Sequence, residues 1–425
     1  MKLAKSLLLG SAAGLVAVAG AQAADLPVRA AAPVDYVRTC PNAPIGGTGF
    51  FVVPGTETCL QISGYVRTEY RFNENLETAS GRAQDDINFF ARGSLAFDAR
   101  TPTEYGTLRS FIRVNANRTD GAGVAELDQG FIQFAGLTAG RITSFFSFFG
   151  GNLMSGGAAG VTDPSVELLA YTATFGSGFS ATVSVENGRA RRSGIGTLGP
   201  AVAYGGQELP DLVANLNVAQ AWGSAQIMGA LHQVRHNVNG AVADDEMGFA
   251  IGAGLNVRLP MIAAGDALWL QATYADGAIS YVGAPGTVSE FTVASNDAYL
   301  NAAGTSLTTT EAWSIMAAFR HYWAPTFWQD IQGSYGEVDV PTIANPVAGA
   351  VLTSGAVNDY TWWQLGTRLN WRPVSGLTFA ADVVYTAIDP DNRFQVQLNG
   401  ANVVPVRTNG DGSRWEGRLR IQRDF

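Results

Sequence analysis

Strict two-residue alternation over an unusually long stretch is the feature that most limits this chain. In residues 59–72, CLQISGYVRTEYRF, one parity holds Leu60, Ile62, Gly64, Val66, Thr68, Tyr70 and Phe72, none of them charged. The other holds Gln61, Ser63, Tyr65, Arg67, Glu69 and Arg71, all able to hydrogen-bond. Side chains alternate across a strand, so this is one β-strand with an oily and a wet face. Soluble strands typically run about 5–6 residues. A tilted strand crossing a bilayer takes about 9–11.

The same period returns along the chain. It marks strands at 59–72, 87–98, 108–117, 126–134, 136–146, 167–175, 179–186, 211–220, 224–236, 247–259, 266–275, 311–323, 326–337, 361–372, 377–388 and 414–425. That is sixteen, with the fourth to sixth weakest in period. Short and long connections alternate almost throughout, as in outer-membrane barrels with an even strand number. Trp363 and Trp371 bracket one oily face, where aromatic girdles meet the two lipid–water boundaries. The fold class expected is all-β: a transmembrane antiparallel β-barrel.

Composition agrees with that class. Beyond the N-terminus no apolar run reaches 18 residues, so no spanning helix is expected. A closed barrel is the other way to satisfy every backbone group in lipid. Glycine is abundant, 50 of 425 residues. At the N-terminus, Lys2 and Lys5 precede an apolar run at 7–19 and then Ala21-Gln22-Ala23, the pattern of a cleaved signal peptide over residues 1–23. These two are the chain's only lysines, so every other fixed positive side chain is arginine. The formal net charge is −9, or −11 without the two lysines, which excludes nucleic acid as an expected partner.

Residues 24–58 read as a periplasmic lead segment and 59–425 as the pore domain. Cys40 and Cys59 are the two cysteines. In an oxidising compartment such a pair reads as a disulfide, with two free thiols as the alternative. One segment breaks the pattern: residues 145–164, FFSFFGGNLMSGGAAGVTDP, have a Phe cluster and then Gly and Ala without period. Irregular backbone at membrane depth is tolerated only inside protein or beside water. The segment therefore either folds into the lumen or projects as a surface loop.

The stretches PGTETCLQISGYVR at 54–67 and QFAGLTAGR at 133–141, with the terminal Phe425, resemble the alphaproteobacterial general porins, the trimeric porins of the outer membrane. The resemblance implies a sixteen-stranded barrel in outer-membrane lipid, assembled as a homotrimer. It also implies a third outer loop folded inward, here at about 145–166, and recognition of the aromatic terminus by the barrel assembly machinery. The implied function is a water-filled passive channel for small hydrophilic solutes and ions, without cofactor or catalysis. The alternative is a substrate-specific channel, for a sugar for example. Porins of this kind usually carry several acidic residues on the constriction loop. Here there is only Asp163, with Glu167 just beyond, which argues against strong cation selectivity.

Arginine supplies the chemistry. Closing the ring sets Arg418 and Arg420 beside Arg67 and Arg71, followed by Arg92, then Arg109 and Arg113. Arg67, Arg92, Arg113 and Arg418 or Arg420 are expected near mid-height, as a positive wall facing Asp163 and Glu167. Opposed charges across a narrow aqueous pore set ion preference. Alternatively, the arginines only neutralise inner carboxylates such as Glu69, Asp86, Asp98 and Glu416. His232 and His236 share a strand face, but no third ligand accompanies them and no catalytic motif is present. Trp269, Tyr322 and Trp328 read as girdle aromatics in preference to a sugar-stacking platform.

Overall fold

The computed structural model describes residues 38–40, 47–73, 87–149, 153–154, 159–196, 203–237, 245–285, 296–301, 305–341, 359–390, 394–399, 402–407 and 412–425. The expected signal peptide at 1–23 and most of the expected lead segment lie outside them. Among the described residues one sheet takes in eighteen strands. Two are two-residue pieces, Phe51–Val52 and Ala203–Tyr204. The other sixteen form a closed ring. They are β1 (Cys59–Asn73), β2 (Ile87–Thr103), β3 (Gly106–Thr119), β4 (Ala122–Phe134), β5 (Leu137–Thr143), β6 (Ser165–Gly176), β7 (Phe179–Glu186) and β8 (Asp211–Gln220). They continue as β9 (Gly223–Asn237), β10 (Asp245–Arg258), β11 (Ala267–Asp276), β12 (Glu311–Ala324), β13 (Phe327–Asp339), β14 (Tyr360–Val374), β15 (Leu377–Pro390) and β16 (Gly412–Asp424). Each pairs antiparallel with the next. The ring closes where β1 meets β16, with Arg67 opposite Gln422 and Asn73 opposite Glu416.

Alternation sets which way each residue points. Val66, Leu216 and Ile227 are 60%, 60% and 66% exposed on the outer face, while Val213, Ser184 and Ala250 are at most 1% exposed on the inner face. The oily parity thus faces out, the reverse of a soluble core, as a lipid-facing barrel requires. Seven short turns and both ends of the ring lie at one rim, and eight connections at the other. One of those eight is itself tight. β3 and β4 are joined by Asp120 and Gly121, both at positive φ (45° and 95°), the paired left-handed backbone of a two-residue hairpin turn.

β5 is shorter than the eleven-residue strand expected at 136–146. After Thr143 the chain leaves the wall, and the Ser144 amide bonds Pro164 O at 3.0 Å, pinching the two ends of the departing segment together. At the turn rim, Cys40 and Cys59 form a disulfide with a Cα–Cα distance of 5.9 Å. It ties the chain before the barrel to the foot of β1 across 19 residues, a closure worth about 3 kcal/mol in the chain-entropy model.

At the loop rim, Ile195–Gly196, Ala298–Leu300 and Leu307–Thr309 form a small sheet. Asp297 anchors it from full burial. Its carboxylate accepts the Ser193 and Ile279 amides at 2.7 and 3.1 Å and the Tyr204 hydroxyl at 2.6 Å. Burial pushes the Asp297 carboxyl up, and burial beside that carboxylate pushes the Tyr204 hydroxyl up.

Candidate functional site

The described residues between β5 and β6, 144–149, 153–154 and 159–164, lie within the ring, held by inner-face side chains far around the wall. Phe145 N donates to Glu186 Oε1 at 3.0 Å, and Phe145 O accepts from Asn215 Nδ2 at 2.7 Å. Phe149 N donates to Gln271 Oε1 at 3.2 Å on β11. On β14, Arg368 Nη1 donates to Leu153 O at 3.4 Å and Gln364 Oε1 accepts from Ala159 N at 2.9 Å. Amide, carboxylate and guanidinium side chains at these inner positions replace the backbone partners that an irregular segment lacks. The Phe cluster supplies the packing. Phe146 meets Tyr281 edge-on at 4.7 Å, Phe149 meets Trp269 at 5.8 Å, and Phe149, Leu153, Met154 and Val161 bury against Met316, Ala318 and Val384. The wall makes room with small residues: a Cβ at Gly254 would collide with the Phe148 ring.

The opposite wall, β16 with β1 to β4, is charged. Arg67 and Arg71 are on the inner face of β1, Arg92 on β2, Arg109 and Arg113 on β3, and Arg418 and Arg420 on β16. Glu69 is their centre. Its side chain has no exposure, and it receives Arg71 Nε at 2.7 Å and Arg420 Nε at 2.7 Å. Arg418 and Arg67 stand off at 3.9 and 4.0 Å. Asp98 likewise gathers Arg100 and Arg109 at 2.8 and 2.9 Å. Arg113 reaches Asp128 at 3.5 Å, and Arg92 Nε donates to the neutral Asn117 Oδ1 at 2.6 Å. Glu69 and Asp98 thus pair with some of the arginines, the second of the two arrangements the sequence allowed, while Arg92 is held by a neutral amide. Arg67 and Arg92 share a row, whereas Arg113 sits opposite Ala96, two inner positions away.

Glu167 is a correction. It is on the outer face of β6, its side chain 57% exposed, bonded to Arg141 at 2.8 Å and to Asn187 at 3.0 Å. β6 begins at Ser165, and its parity sends Glu167 outward with Leu169 and Tyr171, while Val166, Leu168 and Ala170 are buried inward. Asp163 remains on the inner loop, exposed.

Trp269, Tyr322 and Trp328 are a second correction, for they share the inner parity and not the outer girdle. Their surfaces are already engaged. Trp269 packs on Phe149, and Tyr322 stacks on Trp328 at 5.5 Å with the Arg372 guanidinium 5.1 Å from the Trp328 ring. His232 and His236 are buried inner residues, and His232 Nδ1 pairs with Asp211 Oδ1 at 2.8 Å. His321 faces outward, bonded to Asp266 at 2.7 Å. Among the described residues no three potential ligands group as a metal site.

The chain matches the family described as "Porin subfamily" over residues 25–411. It is 37% identical to Porin Omp2b of Brucella canis over 237 residues, which covers 52% of this chain and 63% of that protein. It is 36% identical to Porin Omp2a of Brucella ovis over 250 residues, covering 52% and 68%. Among solved structures, the outer membrane channel DcaP of Acinetobacter baumannii superposes with a TM-score of 0.65 over 88% of this chain and 99% of that one. At 17% identity that likeness speaks to the fold alone.

Proposed function

Because the chain belongs to the porin subfamily of bacterial outer-membrane barrels, we propose that it forms a water-filled passive channel for small hydrophilic solutes and ions. One observation carries this reading. A closed ring holds an inward-folded segment on one side and leaves a charged, partly exposed wall on the other. That is a passage narrowed from one side and lined by groups that water and ions wet. Arg67, Arg71, Arg92, Arg109, Arg113, Arg418 and Arg420 line it in this reading, with Asp163 on the loop. The aromatic pairs suited to a sugar platform are spent on each other and on the loop, which favours the general channel over a sugar-specific one.

In this reading the protein works as a homotrimer. The outer surface supports a division of labour. β11 to β16 carry an aromatic band that includes Tyr274, Trp313, Tyr335, Trp363, Tyr385 and Trp415, suited to a lipid boundary. The outer faces of β3, β4 and β5 carry no Trp or Tyr. The Arg141–Glu167 ion pair adjoins that side. Charge facing lipid is costly, so protein is the better neighbour there. The test is conductance in planar bilayers. Purified protein should insert in steps of three and give an ohmic current that rises linearly with salt. A preparation that seals without current would sink the channel reading, and a monodisperse monomer in mild detergent would sink the trimer.

A further inference from the structure

We propose that Arg67 and Arg92 form a saturable binding site for doubly charged oxyanions, solutes that present two carboxylates or a phosphate. The proposal rests on the channel reading above and names a substrate class for it.

Arg67 and Arg92 stand directly opposite each other across β1 and β2, both on the inner face. Like charges at such a position repel, and a barrel that needed only polar lining has no reason to place them there. Each is fixed by a neutral group. Gln422 Oε1 accepts from Arg67 Nε at 2.7 Å, and Asn117 Oδ1 accepts from Arg92 Nε at 2.6 Å. An amide oxygen orients the guanidinium but leaves its full charge in place. The nearby carboxylate is committed elsewhere: Glu69 is occupied by Arg71 and Arg420, and Arg67 Nη1 comes no closer to it than 4.0 Å. Arg92 has no ion pair among the described residues. Four arginines, at 67, 71, 418 and 420, thus converge on Glu69, and Arg92 stands beyond them opposite Arg67.

Aromatic rings limit the motion of these forks. Tyr65 lies 4.7 Å from the Arg67 guanidinium, and Phe90 lies 3.8 Å from that of Arg71 and 5.4 Å from that of Arg92. The site stays open to the lumen, with the Arg67 side chain 19% exposed. Arginine's planar fork matches carboxylate and phosphate oxygens two at a time, which an ammonium does not. Arg67 has only a shared carboxylate at 4.0 Å and Arg92 has none among the described residues, so the two forks together can take a solute with two negative charges. Partial exposure keeps the binding weak, in the millimolar range, as transit requires: a solute must bind well enough to enter and loosely enough to leave.

The experiment is block of chloride current through the intact protein in planar bilayers, at neutral pH and low salt. Succinate, inorganic phosphate, glucose and glycine are titrated separately. Succinate or phosphate should reduce the current to a plateau, and glucose and glycine should not. Block by succinate alone assigns the dicarboxylate class, and block by phosphate alone assigns the phosphate class. Arg67→Gln with Arg92→Gln should raise the half-blocking concentration at least tenfold. Arg67→Lys with Arg92→Lys keeps the charge and loses the fork, and should fall between. Arg118→Gln, on the outer face, should match the parent. Raising the salt should weaken the block. A strictly linear response to both oxyanions, or the same half-block in the double Gln variant, overturns the site and leaves the channel reading intact. A protein that carries no current overturns both.

Discussion

The two halves of the inner wall solve opposite problems. From β8 to β15 the wall is a seat. Its inner positions include Ala250, Gly254, Ala275, Ala312, Ser314, Met316 and Ala318, small or pliable residues that let the inward segment press close. From β16 through β1 to β3 the wall is bare, and its inner positions are arginines organised around Glu69 and Asp98. One half buries apolar surface inside the barrel as a soluble core does. The other keeps charge in contact with water. The same period-two strand serves both, because alternation decides only which residues face in, and the neighbour inside decides what those residues must be.

Three substitutions would break this contrast, in order of expected effect. Glu69→Gln strikes the bare wall hardest. Removing the fully buried partner of Arg71 and Arg420 leaves like charges facing one another, and losing one partner of a buried pair costs about 3–5 kcal/mol. Thermal unfolding in detergent should come at a clearly lower temperature, and the surviving channels should favour anions more. An unchanged melting temperature would mean that Glu69 does not organise the wall. Gly254→Leu strikes the seat. Overpacking against Phe148 costs about 1–3 kcal/mol. With its seat filled, the loop should lift and single-channel conductance should change measurably, while ion preference holds. If conductance and protease sensitivity of the loop both stay at parental values, the segment does not depend on that seat. Glu167→Gln, on the outer face, is the mildest. It should leave the reversal potential in a salt gradient where it was and lower the heat stability of the proposed trimer. A shifted reversal potential would return Glu167 to the lumen.

Much of the barrel is legible in the sequence because one rule, repeated sixteen times, builds it. β7 and β8 match their expected bounds, and most others differ by a few residues. The shortfall at β5 follows from a long-range event, the entry of the loop, that no local pattern encodes. The candidate site was less legible, in two ways. Parity alone decides two positions. Glu167 shares a face with Leu169 and Tyr171, and Trp269 sits between the outward Leu268 and Leu270, so the alternation itself assigns Glu167 outside and Trp269 inside. The remainder depends on cross-strand register. That Arg67 faces Arg92, while Glu69 serves Arg71 and Arg420, follows from how β1 pairs with β2 and β16, which period alone leaves open. The run of Ala and Gly at inner positions of β10 was a further signal, since an empty polar lumen gives no reason for small residues there.

The seam between β1 and β16 sets the order in which the molecule can be made. The Arg67–Gln422 hydrogen bond spans 355 residues of chain, and the Phe425 backbone pairs with Gly64 through two hydrogen bonds of 3.0 Å each. The ring therefore cannot close until β16 is available to pair with β1. Until then β1 presents an unpaired edge, the kind of template that invites pairing with the wrong chain. Contacts so distant in sequence are reached slowly. Phe425, 61% exposed and paired through its backbone with Gly64, belongs to that late-forming seam.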